Sequence, residues 1–173
     1  HFAQLTGAPV RALDPSLVLG SEALGEGDVV VAAGCELQVL ATPGHTSDSL
    51  SFLLVGPGTG PAVLTGDTVL GRGTTVIAHP DGALGPYLDS LRRLAKLTEG
   101  TTVLPGHGPE LPDAPSAARY YLAHREGRLE QVRAALELLG PHVSPRQVVE
   151  HVYTDVDEVL WAAAERTVRA QLD

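Results

Sequence analysis

A mixed α/β fold of the α+β kind is predicted for this chain by three observations. Short alternating strands crowd residues 28–65, glycine-flanked strand ends carry His45, Asp67 and His107, and the stretch from residue 113 onward has helical patterning with no strand signal. At 173 residues the chain can bury a sizeable core.

The first ten residues read as the end of a helix, with Phe2, Ala3 and Leu5 apolar and Gly7 then Pro9 as a stop signal. Residues 10–13 suit a short strand, and 15–27 are rich in turn residues. Strands are expected over 28–32, 36–42 and 49–55. In the second of these Leu37, Val39 and Ala41 share a face; in the third Leu50, Phe52 and Leu54 do. Gly56 to Pro61 reads as a hairpin connector, and a short buried strand follows over 62–65. A helix is expected over 86–97, with Leu88, Leu91, Leu94 and Ala95 as its apolar stripe and Gly100 just beyond its end. Residues 101–104 return as a strand.

Composition changes after Pro112. The expected division is a first domain over 1–112 and a helical subdomain over 113–173. A long helix over 116–139 stops at Gly140-Pro141. Ser144 is an N-cap followed by Pro145 at the first helical position. Asp155 with Glu158 has the capping-box spacing for a last helix reaching about Leu172. Leu160, Trp161 and Val168 are expected in the core of this bundle.

The formal net charge of -9 argues against bulk binding to nucleic-acid phosphates. Cys35, the single cysteine, falls in a predicted turn and allows no intrachain disulfide, which fits a reducing, cytoplasmic setting. No apolar run is long enough to span a bilayer.

The chemistry-bearing motifs share one design. Thr42-Pro43-Gly44-His45-Thr46, Thr65-Gly66-Asp67 and Pro105-Gly106-His107-Gly108 each place a metal-capable side chain just after a predicted strand, beside glycine. Loops at strand ends let a rigid sheet aim side chains into one site, and glycine permits close approach. Imidazole and carboxylate suit zinc, manganese or iron, and two histidines with one aspartate suit part of an open catalytic site. Thr46, Asp48 and Thr65 could orient such ligands; turn and cap chemistry is their simpler reading. His79, His142 and His151 read as loop, surface or packing residues. Arg125, Arg128 and Arg133 share a helical face beside Tyr120 and Tyr121. That face suits an anionic substrate such as RNA or, more simply, solvated pairing with Glu126, Glu130 and Glu137.

These motifs resemble the metallo-β-lactamase superfamily, specifically its glyoxalase II-like and endoribonuclease-like branch. The resemblance implies an αββα sandwich, here its C-terminal portion with a helical tail, and a dinuclear metal site holding zinc, with manganese or iron as alternatives. It implies that His45 completes one metal's ligand set, that Asp67 bridges the pair and so serves catalysis, and that His107 completes the second. The implied activity is hydrolysis by a metal-bound hydroxide of a thioester or ester, or of an RNA-like phosphodiester. Aspartate at 67, where many antibiotic-destroying members carry cysteine, looks more like the thioesterase and phosphodiesterase members. The family's first motif, His-x-His-x-Asp-His, occurs nowhere in this sequence. The expectation is that the chain starts just downstream of it and lacks four of seven ligands. The alternative is a catalytically incomplete fragment that serves as a binding or assembly domain. The expected partners are a small-molecule thioester or ester, or a single-stranded RNA, with no membrane and with a homodimer as an open assembly state.

Overall fold

Short apolar segments at period two build a five-stranded sheet in the order β1-β2-β3-β4-β5. In the computed structural model, which describes residues 2–32, 34–56, 60–140 and 142–172, these are β1 (Val29–Ala32), β2 (Cys35–Ala41), β3 (Leu50–Val55), β4 (Ala62–Gly66) and β5 (Thr102–Pro105). His1, the centre of the expected connector at 57–59 and Pro141 of the expected helix stop lie outside the described residues. The first four strands form an antiparallel meander, and β5 joins β4 in parallel. A parallel neighbour needs a long crossover. The segment after β4 supplies it and carries the helix α2 (Leu84–Leu94).

Direction follows from this pairing. β2 and β4 are both antiparallel to β3, so they run the same way, and β5 runs with β4. The C-terminal ends of β2, β4 and β5 therefore meet at one edge of the sheet.

Val63 of β4 and Val103 of β5 pack against Tyr87, Leu91 and Leu94 of α2 and against Ala114, Ala118 and Tyr121 of α3 (Ala114–Leu139). α2 begins earlier than its leucine stripe suggests. Tyr87 is fully buried and Leu88 only partly so. The phenol can go inside because its Oη donates to the Thr68 carbonyl at 2.8 Å. On β3 the deeper face is opposite to the one the alternation suggests. Ser51 is fully buried, its hydroxyl paired with that of Thr42 at 2.9 Å, and Leu53 packs on the main core. Residues 10–13 form no strand; Val10 makes one bridge to Leu19. Cys35 opens β2 and is not in a turn. The short α1 (Phe2–Thr6) ends as expected before Gly7.

The C-terminal helices follow their caps. Asp113 accepts from the Ser116 amide at the start of α3. Ser144 and Gln147 form a reciprocal capping box on α4 (Pro145–Val152). A second core joins Val132 and Ala135 of α3, Val148, Val149 and Val152 of α4, Tyr153, and Val168 of α5 (Trp161–Leu172). Trp161 packs on its margin, but Leu160 is exposed. Asp155 is not a cap: it binds Arg128, and Asp157 caps the turn before α5. Among the described residues no helix is long and apolar enough to cross a membrane.

The arginine face of α3 divides. Arg133 is exposed and pairs with Glu130 at 2.7 Å. Arg125 and Arg128 are only 3% and 9% exposed, because Arg125 lies against Thr75 and Tyr87, and Arg128 against Val152, Tyr153 and Asp155. Arg128 donates to the Val152 carbonyl at 2.9 Å and to both oxygens of Asp155, with its guanidinium over the Tyr153 ring. Arg125 donates to the Thr75 carbonyl and lies over the Tyr87 ring. These two are neither a solvated face nor an exposed anion-binding one.

Leu91→Ala should destabilise the fold by about 2–5 kcal/mol in urea denaturation, against less than about 0.5 kcal/mol for Leu138→Ala on the exposed side of α3. Burial pushes the His124 imidazole below its ordinary 6.5, with Arg125 and Arg128 adding to the shift and Asp155 opposing it. A depressed imidazole favours folding only while it stays neutral, so its contribution is present above pH 6.5 and is lost as the pH falls through the folded-state value. Stability measured from pH 7.5 down to 5 should fall more steeply in the parent protein than in His124→Gln; equal slopes would show that His124 is not responsible.

Candidate metal centre

His45 leaves β2 through Thr42-Pro43-Gly44. Thr42 is fully buried, its N–H donating to the Ser49 carbonyl at 2.9 Å, which closes the turn that projects His45. Gly44 has φ +142°, and a Cβ there would lie 2.3 Å from the Tyr87 Cα, so only glycine lets this turn rest on α2. The next loop clasps it. Ala78 N–H donates to the His45 carbonyl at 3.0 Å, Ala83 N–H to that of Gly44 at 3.1 Å, and Ser47 Oγ to Asp81 at 2.6 Å. These Ser47 bonds lower the Asp81 carboxyl below its usual range.

Asp67 follows β4, and His107 follows β5. The parallel pairing of those strands sets them side by side. Asp67 Oδ2 lies 3.7 Å from His45 Nε2, and its Oδ1 lies 3.6 Å from His107 Nε2. The carboxylate thus stands between two imidazoles, each facing its own oxygen. Among the described residues no three such groups converge on one point; the arrangement is a row. Exposure rises along it, with side chains 26% exposed at His45, 36% at Asp67 and 77% at His107.

His45 Nδ1 lies 2.7 Å from the Val76 carbonyl. A carbonyl can only accept, so Nδ1 carries the hydrogen, and in the neutral ring Nε2 presents its lone pair toward Asp67. A lone pair facing a carboxylate across 3.7 Å is too distant for a hydrogen bond and has no proton to share. The donor set fits a cation. A divalent ion held at about 2.0–2.2 Å by nitrogen and by oxygen would relieve that opposition. Gly106 keeps the space open, since a Cβ there would lie 2.9 Å from Asp67 Oδ1.

The other candidates sort by contact. Thr46 bonds Asp48 at 2.7 Å and Ser49 at 2.8 Å, and Thr65 Oγ1 donates to the Val69 carbonyl at 2.8 Å, so the bonds of all three are turn chemistry. His79 lies in the clasping loop, its N–H on the Ile77 carbonyl at 2.9 Å. His142 is exposed just before α4, and His151 is exposed in its last turn. The residues that sequence reasoning missed are Gly71, whose N–H donates to the His107 carbonyl at 2.9 Å, together with Thr75 and Val76. Thr75 Oγ1 is 3.4 Å from His45 Nδ1. Two of these act through main-chain atoms, which leave no mark on residue type.

The sequence pattern of the metallo-beta-lactamase superfamily matches residues 9–107, and that of the beta-lactamase associated winged helix domain matches 144–173. The chain belongs to the metallo-beta-lactamase superfamily, whose members are typically hydrolytic metalloenzymes that bind divalent metals such as zinc or iron. It is 38% identical to the lactamase-like protein adaB of Aspergillus niger over 119 residues, covering 69% of this chain and 35% of that protein. A metallo-beta-lactamase family protein from Thermus thermophilus superposes with TM-score 0.74 at 27% identity, over 90% of this chain and 48% of that one. A structure solved in a di-iron-bound form superposes with TM-score 0.50 at 26% identity, over 66% of this chain and 65% of that one. The chain thus spans about a third of its curated fungal relative and about half of the Thermus protein.

The fit around Gly44 gives a direct test. Gly44→Ala must move the α2 backbone and should cost at least about 2 kcal/mol, whereas Gly127→Ala, in open space on α3, should gain about 0.5–1 kcal/mol. Chemical denaturation of the two variants checks both signs.

Proposed function

We propose that the protein is a metal-dependent hydrolase in which His45, Asp67 and His107 are ligands and Asp67 bridges two divalent ions, zinc first and manganese or iron next. The observation that carries this is the row itself: one carboxylate between two imidazoles, each oxygen facing its own nitrogen at 3.6 to 3.7 Å. A bound metal would supply Lewis acidity toward the substrate oxygen and would bring the pKa of water to about 7. The chain's own residues supply geometry. Val76 holds His45 in the tautomer that offers Nε2, Asp67 sets the separation, and Gly106 leaves its carboxylate room. The di-iron form of a structural relative supports a two-metal centre. In this reading the three residues are part of a larger ligand set; the chain spans about a third of the fungal relative and about half of the Thermus protein.

The substrate is a thioester or ester. Aspartate at 67 supports placement in the glyoxalase II-like and endoribonuclease-like branch. The RNA alternative drew on Arg125 and Arg128, and their burial removes them as phosphate contacts. The region 113–173 acts as a helical subdomain beside the centre.

In the full-length protein, Asp67→Ala should cut thioester hydrolysis at least about 10³-fold and remove bound zinc, with little change in the melting temperature of the metal-free protein. Gly106→Ala should weaken zinc in the same direction by crowding Asp67 Oδ1. Full turnover in Asp67→Ala would end the assignment, and cleavage of single-stranded RNA in preference to thioesters would reverse the substrate. Zinc-free, inactive parent protein would leave the binding or assembly role.

A further inference from the structure

Seventeen residues, 67–83, separate β4 from α2 and contain no helix or strand. Such a segment has no ladder to satisfy its backbone, so each N–H and C=O needs another partner. Much of this partnership comes from helical side chains. Tyr87 Oη of α2 donates to the Thr68 carbonyl at 2.8 Å. Tyr121 Oη of α3 accepts from Leu70 N–H at 2.9 Å and lies 2.8 Å from the Gly73 carbonyl. One turn further along α3, Arg125 donates to the Thr75 carbonyl. Thr167 Oγ1 of α5 accepts from Ile77 N–H at 3.2 Å.

The same segment touches every member of the row. It begins with Asp67. Gly71 N–H holds the His107 carbonyl at 2.9 Å, and the Val76 carbonyl takes the His45 Nδ1 hydrogen at 2.7 Å. Thr75, gripped by Arg125 through its carbonyl, also brings its Oγ1 to 3.4 Å from that Nδ1. The helices therefore reach all three ligands through one irregular strap.

We infer that the C-terminal helices position the metal ligands, with Tyr121 and Arg125 as positioning residues that act through segment 68–77. The inference rests on the reading of His45, Asp67 and His107 as ligands. Tyr121 fixes the part of the strap that holds His107, and Arg125 fixes the part that orients His45. Neither residue touches the ligand side chains. The planar, multi-donor guanidinium suits a rigid carbonyl better than a lysine would.

The test uses the full-length protein with Tyr121→Phe, Arg125→Met and, as a surface control, Arg133→Ala. Two quantities are read: exchange of the His45 Nδ1 hydrogen in metal-free protein by nitrogen-15 NMR, and zinc affinity by competition with a chromophoric chelator. Tyr121→Phe and Arg125→Met should each weaken zinc about 10- to 100-fold, the range for residues that orient ligands, and Arg133→Ala should not. His45 exchange should rise at least about tenfold in Arg125→Met, which loses the grip on Thr75. If Arg125→Met does not fold, Tyr121→Phe decides through its zinc affinity. A folded Tyr121→Phe whose zinc affinity stays within about twofold of the parent overturns the inference, even if its melting temperature falls. If Asp67→Ala binds zinc as tightly as the parent, the metal reading itself fails. The exchange of His45 in Arg125→Met then judges the strap alone, unchanged exchange refuting it.

Discussion

The parallel pairing of β5 with β4 is the constraint on which the rest depends. An antiparallel partner could have followed β4 through a tight turn, and its C-terminal end would then lie at the far edge of the sheet. Parallel pairing instead sends the chain through α2 and returns it in the same direction, so His107 arrives beside Asp67. The crossover leaves β4 at this edge and stays beside it through residues 67–83, since Ala83 N–H still reaches the Gly44 carbonyl where α2 begins. The meander does the complementary work, since β2 shares the direction of β4 and delivers His45 to the same edge.

Two guanidinium groups are buried on α3, and one of them, that of Arg125, lies against that segment. Burying a cation costs several kcal/mol unless it is paired and hydrogen-bonded. Arg128 has a carboxylate, a carbonyl and an aromatic face. Arg125 has the Thr75 carbonyl and the Tyr87 ring, and its Nε has no hydrogen-bond partner among the described residues. An aliphatic residue would fill this position at lower desolvation cost but could not hold a backbone carbonyl. A cation retained under those terms, with a main-chain acceptor as its hydrogen-bond partner, fits a role in fixing loop conformation better than one in general stability.

What the sequence made legible divides along the same line. His45, Asp67 and His107 could be read because each follows a strand and stands beside glycine, a pattern that survives without coordinates. Ser144-Pro145 and the positions of the strands were legible for equally local reasons, whereas the buried face of β3 was not, since Ser51 goes inside on its bond to Thr42. Arg125 and Arg128 were not, since arginines among glutamates on a long helix look the same whether water or the rest of the fold covers them. Asp155 had the spacing of a cap, yet Arg128, 27 residues away in sequence, takes its carboxylate. Tyr87 was hidden by Leu88, because hydrophobicity ranks leucine first while the Thr68 carbonyl rewards the phenol. The orienting role of Val76 has no residue-type signal at all.

The row of ligands is unequally prepared. His45 is half-buried, and its ring is fixed by a carbonyl before any ion arrives. Asp67 sits in the tight turn after β4, which Thr68 N–H closes on the Thr65 carbonyl at 3.0 Å. His107 is mostly exposed, and its orienting contact is made through its own carbonyl, which leaves the ring free to rotate. Ordering a free side chain costs rotamer entropy that an already fixed one does not. Within this chain, then, the His45–Asp67 side is the preorganised half of the centre and the His107 side must be ordered on binding. The difference arises from topology: β2 ends in a turn clasped by the crossover loop, whereas β5 is the last strand in the order among the described residues, met on its outer side by the single bridge from Val103 to Leu111.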